Sequence, residues 1–245
     1  MEEGLELYIP KGPRKLVDHY RPKFQIRTGS HDEKAIETVW ARNSYRRHRD
    51  GFQPKPGELW LDIGANVGAF GVMAHKFGAE VVSIEPEPSN ATLCASNLEF
   101  NGIDNPEVLE VAVVPDVFVG DWVTLFTSKE SHRRHSIARH RRDSVELKVP
   151  ARTLASLVDE FRPDGIKMSI EGAEIQILQN LELPGFVHYL VAEWNFQTDN
   201  RLHTLAQGFE RMAARYRKVE MSKKVNFTRP TFDFYPASIH LYGWD

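Results

Sequence analysis

Leu59-Trp-Leu-Asp62-Ile-Gly64-Ala-Asn66-Val-Gly68 runs from five residues of strand character straight into a turn punctuated by two glycines. The apolar run is too short for a helix, so Leu59–Ile63 is expected to be a buried strand. Gly64 and Gly68 let the backbone reverse tightly and approach a neighbour closely. Val67, Phe70, Gly71, Ala74 and Phe77 then recur at helical spacing, and Gly78 stands where a left-handed cap would close the helix. Glu80–Ile84 has the texture of a second strand, and Pro88 to about Asn101 that of a second helix stopping at Asn101-Gly102. Strand, helix, strand in that order implies parallel pairing through a right-handed crossover.

The alternation continues downstream. Val108–Val114 is expected to be a third strand, and Trp122–Phe126 and Val145–Val149 bracket a basic loop. Helix Thr153–Phe161, strand Ile166–Ile170, helix Ala173–Leu181 and strand Val187–Ala192 follow. From about Asn200 an amphipathic helix carries Leu202, Leu205, Ala206, Phe209, Met212, Ala213 and Tyr216 on one face. Two β-like segments, Lys218–Met221 and Tyr235–Tyr242, have no helix between them and suggest an antiparallel hairpin. Residues 56–245 therefore predict a doubly wound α/β domain with a mostly parallel sheet and helices on both faces. Residues 1–55 predict an extension with one helix, packed on or capping the core. Its helix start is Ser30-His-Asp-Glu33, which has the capping-box spacing, followed by Ile36, Val39 and Trp40.

Composition narrows the class. Of 245 residues 41% are apolar and 27% charged, enough apolar material for a sizeable core and against wholesale disorder. A net charge of −3 argues against a globally basic nucleic-acid coat. Cys94 is the single cysteine, so no internal disulfide forms, and its apolar helical neighbours place it in the core. The acidic start Met1-Glu-Glu-Gly is unlike a secretory signal, and no apolar run approaches the ~20 residues that span a bilayer. The expectation is a soluble, cytoplasmic protein with no membrane partner.

In open α/β sheets ligands bind beyond the carboxyl ends of the strands. A dinucleotide fingerprint would need glycines at 64, 66 and 69, but Asn66 and Ala69 stand there, and no Gly-Lys-Ser/Thr marks a Walker loop. Asp-x-Gly-x-x-x-Gly after a first strand is instead the pattern used for S-adenosylmethionine, whose methionine end sits over the turn. Glu85 follows Gly64 by 21 residues, at the end of the second strand, placed to accept hydrogen bonds from both ribose hydroxyls, with Pro86 beside it.

With these residues in place the sequence resembles the FkbM-type methyltransferases, a family of class I S-adenosylmethionine-dependent enzymes. The matching segments are Asp62–Gly68, Ile84-Glu-Pro-Glu-Pro-Ser-Asn90 with Asn97 and Asn101, Ile166-Lys-Met-Ser-Ile-Glu-Gly-Ala-Glu174, and the strand end at Glu193. The resemblance covers about Ser30 to Phe196. It implies a seven-stranded Rossmann-like sheet and methyl transfer, commonly to a hydroxyl of a sugar, polyketide or other small metabolite. It also implies that Asp62, Gly64, Asn66 and Gly68 shape the methionine end, Glu85 and Pro86 the ribose, and Ala112 and Val113 the adenine. Lys167–Glu174, with Ser169 among them, would lie beside the departing methyl. Two positions depart from the family pattern: Ser169 and Ala155 stand where aspartates are usual, removing two carboxylates near the expected site.

A sulfonium is already an activated leaving group, so the enzyme's task is to hold the acceptor in line and take its proton. Glu171, just past the fourth parallel strand, is the first candidate base and Glu193 the second. Lys167 is a candidate for orienting an acidic acceptor, with a structural role as its alternative, and Glu174 reads as a first-turn helix acid. Ser131-His-Arg-Arg-His-Ser-Ile-Ala-Arg-His-Arg-Arg142 and the cluster Arg42, Arg46, Arg47, His48, Arg49 are local basic fields that would suit an anionic acceptor or simply be solvated. Only Tyr45 stands near them as an aromatic, which weighs against a nucleic-acid surface. The histidine trio lacks the carboxylates or thiols of a metal centre, so no metal is expected. The first functional reading is a small-molecule or glycan O-methyltransferase; a nucleic-acid methyltransferase and a cofactor-binding protein with lost turnover are the alternatives. The sequence carries no Asn/Asp-Pro-Pro-Tyr motif of amino-directed nucleic-acid enzymes.

Overall fold

A computed structural model describes residues 4–12, 14–46, 51–128, 136–137, 144–180, 182–195, 202–222 and 238–245. Four short elements come first: β1 (Leu5–Tyr8), α1 (Arg14–Tyr20), β2 (Phe24–Arg27) and α2 (Asp32–Trp40). The glycine turn joins β3 (Leu59–Ile63) to α3 (Ala69–Lys76), followed by β4 (Glu80–Ile84), α4 (Pro88–Phe100), β5 (Glu107–Leu109) and β6 (Ala112–Val114). The chain continues through β7 (Trp122–Ser128), β8 (Ser144–Thr153), α5 (Leu154–Phe161), β9 (Gly165–Met168), α6 (Ala173–Gln179) and β10 (Tyr189–Asn195). It closes with α7 (Leu202–Arg215), β11 (Lys218–Met221) and β12 (Ser238–Trp244).

Among the described residues the main sheet has seven strands, in the order β11-β12-β10-β9-β3-β4-β5. The pairs from β10 to β5 are parallel, and β12 runs antiparallel to both β10 and β11. This is the doubly wound α/β sheet with antiparallel closing strands that the alternation implied. Residues 235–237 of the last expected strand lie outside the described residues.

Side chains alternate across the sheet with period two, and each face has its own apolar cluster. Leu61, Ile63, Val82, Ile84, Ile166, Met168, Leu190, Ala192, Ile239 and Leu241 pack on one side with α5, α6 and α7. Trp60, Tyr189, Val191, Tyr242 and Trp244 pack on the other with α2, α3 and the N-terminal strands. Parity also puts Asp62, Lys167, Ser169, Glu193 and His240 on this second side. Polar groups are thereby gathered where the strands end.

Two expectations need correction. The run Val108–Val114 is not one strand: it breaks after Leu109, where β5 stays in the main sheet and β6 leaves to pair with β8. β6, β7 and β8 form a separate three-stranded sheet beside the strand ends. The capping box at α2 is also not formed. His31 occupies the cap position without a side-chain bond, and the Ser30 hydroxyl accepts from Asp32 N at 3.1 Å.

Asp32 has a different task. Its carboxylate takes a two-pronged bond from the Arg27 guanidinium (Nε to Oδ2 and Nη2 to Oδ1, both 2.9 Å), and both residues are buried. Burial pushes the Asp32 carboxyl up, but bonds from Arg27 and Ser30 more than offset this and it titrates below the usual range. Arg27 also donates to Asn90 Oδ1 at 2.6 Å, which ties β2 and α2 to the start of α4. Asn97 and Asn101 complete the attachment by acting as surrogate peptide groups. Asn97 accepts from Gln25 N (2.6 Å) and donates to Gln25 O (3.1 Å), and Asn101 does the same with Lys23 (3.2 and 2.6 Å). The N-terminal segment is thus docked by strand-like pairing with a helix face.

Candidate active site

A cleft opens at the carboxyl ends of β3, β4, β9 and β10. Its floor is the glycine turn. Gly64 has φ +75° and Asn66 φ +51°, both left-handed, and the amides of Gly64 and Ala65 donate to Ile84 O at 2.9 and 3.1 Å. A Cβ on Gly64 would overlap the Ser169 carbonyl oxygen, and one on Gly68 (φ +82°) would come within 3.1 Å of Cys94 Sγ. Cys94 is buried, as its neighbours in sequence suggested. The two glycines are fixed by contacts with Ser169, just past β9, and with Cys94 of α4, and the turn between them forms a cradle whose Gly64, Ala65 and Asn66 line the cleft.

Glu85 stands beside that cradle. Its Oε2 accepts from Asn66 N at 2.9 Å and its Oε1 from Glu87 N at 3.1 Å. Burial raises its carboxyl to about 7 despite these bonds, so the group is poised to charge when a further donor arrives. Pro86 and Asn90 line the cleft beside it, and Val111, Ala112 and Val113 form the wall opposite.

At the other end Lys167 lies in the strand interior, 4% exposed, with Nζ 2.8 Å from Asp62 Oδ1 and 2.7 Å from Gly64 O. The two residues are register neighbours on β9 and β3. The ammonium is therefore engaged in a buried ion pair that holds the turn. Ser169 donates to Glu193 Oε2 at 2.7 Å, and Tyr45 donates to the same oxygen at 3.1 Å. Glu171 takes a left-handed backbone (φ +53°), lines the cleft, and its carbonyl accepts from Ser136 Oγ at 2.8 Å. Glu174 is fully buried and accepts from Gly172 N at 2.8 Å, with burial raising it to about 8, so it closes its own helix start and is no part of the cleft wall.

All twelve sequence-derived candidates except Asp62 and Gly68 line this cleft, and those two lie directly beneath it. Ala155 does not belong there, contrary to expectation. It sits in the first turn of α5, where its amide is held by Asp116 Oδ1 at 2.9 Å, so its missing carboxylate is no loss to the site. Sequence reasoning missed the wall made by Ala35, Thr38, Val39 and Tyr45, and that made by Leu125, Ser136 and Ile137. Apart from Ser136 and Ile137, the basic stretch 131–142 lies outside the described residues, as do Arg47, His48 and Arg49. Arg46 packs over the Phe77 ring at 4.4 Å and donates to Gln53. No group of three or more metal-ligating side chains occurs among the described residues. Nor is any described helix long and apolar enough to cross a membrane.

The glycine turn, the acid ending the next strand and a wall of small apolar groups thus meet in one cleft. The family model described as the methyltransferase FkbM domain matches residues 62–215, more than half of the chain. The chain belongs to the FkbM methyltransferase family. It is a methyltransferase, and its cofactor is S-adenosylmethionine. No curated protein matches the sequence. Among solved structures it is similar to the ribosomal protein L11 methylase of Lactobacillus delbrueckii subsp. bulgaricus (13% identity, 87% of this chain and 79% of that one, TM-score 0.43). It is also similar to P. horikoshii TYW2 in complex with MeSAdo (13%, 99% and 70%, 0.45). An O-methyltransferase from Bacillus cereus is a third such structure (15%, 77% and 74%, 0.39).

Proposed function

We propose that this FkbM methyltransferase is O-directed, acting on a hydroxyl of a sugar or other small metabolite, with Glu193 as the proton acceptor. The observation that carries this is that the carboxylates of Glu171 and Glu193 line the same cleft as the glycine turn and Glu85. S-adenosylmethionine supplies an activated methyl group when bound. Asp62, Gly64, Asn66 and Gly68 shape the methionine end, Glu85 and Pro86 accept the ribose, and Val111–Val113 flank the adenine. Lys167 acts by holding the turn through Asp62.

Glu193 is preferred to Glu171 as base because its carboxylate is fixed by two side-chain donors, and a base works only when oriented toward the proton it takes. Glu171 is left to bind the acceptor. Ser169 removes a carboxylate from the end of β9, but Glu193 brings one to within hydrogen-bond distance of that position. This favours turnover over a protein that only binds cofactor.

Methyl transfer from labelled S-adenosylmethionine, measured on a panel of sugars, hydroxylated metabolites and RNA oligonucleotides, tests the assignment. Transfer to a hydroxylated small molecule is expected, and Glu193→Gln should slow it ~10²-fold or more. S-adenosylhomocysteine affinity should change less than about threefold. Transfer to RNA alone, or full activity in Glu193→Gln, would refute it.

The ribose assignment has its own signature. Ribose hydroxyls donate to a carboxylate, so binding requires Glu85 ionised. Because the unliganded group titrates at about 7, S-adenosylhomocysteine affinity should fall about tenfold between pH 8 and pH 6 in calorimetry. Glu85→Gln should weaken binding by ~1.5–3 kcal/mol and abolish the pH dependence. A flat profile in the unmodified protein would place the ribose elsewhere.

A further inference from the structure

We propose that Tyr45, delivered by the N-terminal segment, is a positioning residue that together with Ser169 fixes the Glu193 carboxylate at the acceptor end of the cleft. The inference rests on the assignment of Glu193 as proton acceptor and extends it to a residue outside the family's matching segment.

Tyr45 is held as a group with a defined task would be. It is 4% exposed, its ring meets Phe70 and His240 edge-on at centroid distances of 6.0 and 5.0 Å, and Lys167 Nζ stands 5.3 Å from its centre. The backbone beside it is anchored too, because Tyr242 donates its hydroxyl to Ser44 O at 2.6 Å. Burial first, and then the charge of Glu193, push the phenol well above its ordinary range. Tyr45 therefore stays neutral and stays a donor, and cannot itself be the base. A carboxylate offers about four acceptor sites. The bonds from Tyr45 and Ser169 orient Glu193 and favour its ionised form.

Other charged or titratable groups face Glu193 among the described residues. His240 lies opposite it on β12, Lys167 with Asp62 lies on the neighbouring strands, and Glu171 and Glu174 lie at the start of α6. Any test must separate their titrations from that of Glu193.

Protein labelled with ¹³C at glutamate carboxyls, with the Glu193 resonance assigned by its loss in Glu193→Gln, gives that separation and needs no acceptor. Tyr45→Phe keeps the ring and deletes the donor. It should raise the Glu193 midpoint by about half to one pH unit, about three- to tenfold in proton affinity. Ser169→Ala should move it in the same direction, and both shifts should persist in a His240→Asn background. S-adenosylhomocysteine affinity should stay within about twofold in Tyr45→Phe. An unmoved midpoint in Tyr45→Phe overturns the proposal. Should that variant not fold, Ser169→Ala must show the shift alone, and its failure to do so is equally decisive. Unmoved midpoints with methyl transfer intact sink the role of Tyr45 only, whereas absent transfer in the unmodified protein sinks the functional assignment and leaves the titration readable.

Discussion

Gly64→Ala should abolish S-adenosylhomocysteine binding and lower folding stability by at least ~3 kcal/mol. The left-handed backbone at φ +75° alone costs an L-residue about 1–2 kcal/mol. The added methyl would also overlap the Ser169 carbonyl, and that is backbone just past β9, held by the Ser169 amide bond to Ile63 O, which cannot swing away as a side-chain tip would. The turn cannot retreat either, because Gly64 and Ala65 are both bonded to Ile84 O. Gly102→Ala is the control. Gly102 has φ +92° with open space around it, so only the conformational cost, about 1–2 kcal/mol, should appear in urea unfolding. Equal losses at the two positions would show that the approach of β9 to the turn is not what demands glycine.

The second large effect belongs to the ion pair beneath the turn. Lys167→Met leaves the Asp62 carboxylate fully buried without its cation, and breaking such a pair from one side costs ~3–5 kcal/mol. Lys167→Met combined with Asp62→Leu removes both charges, and most of the lost stability should return. Denaturant titration of the two variants decides between roles. If the double variant regains stability and still binds S-adenosylhomocysteine tightly, Lys167 is a stabilising residue alone. If it folds but binds weakly, the pair also shapes the cradle through the Lys167 bond to Gly64 O.

How far the sequence foretold these features depended on range. The β3 turn, Glu85 and the helices α3 and α4 were legible because their signals are local: strand texture, glycine spacing, helical periodicity. Asn97 and Asn101 were visible as residues but not as hinges of attachment, since their partners at Gln25 and Lys23 lie more than 70 positions away. Tyr45 left no local mark at all; it reaches Glu193 across 148 residues. The break between β5 and β6 was hidden because Val108–Val114, apolar except at Glu110, looks continuous whichever sheet its halves join. At Ser30 the local rule was correctly applied and lost to a stronger interaction, since Asp32 is drawn back to a buried guanidinium.

The strand-like docking of Lys23 and Gln25 on α4 has a consequence for how far the folded unit extends. The segment that carries its family signature, 62–215, contains neither Tyr45 nor β12. A chain trimmed to that signature would lose one side of the ligand chamber, uncover Val67 and Phe70, and leave β10 as a raw sheet margin inviting intermolecular pairing. The cleft is thus built from more of the chain than its most recognisable part, since Ala35, Thr38, Val39 and Tyr45 all line it.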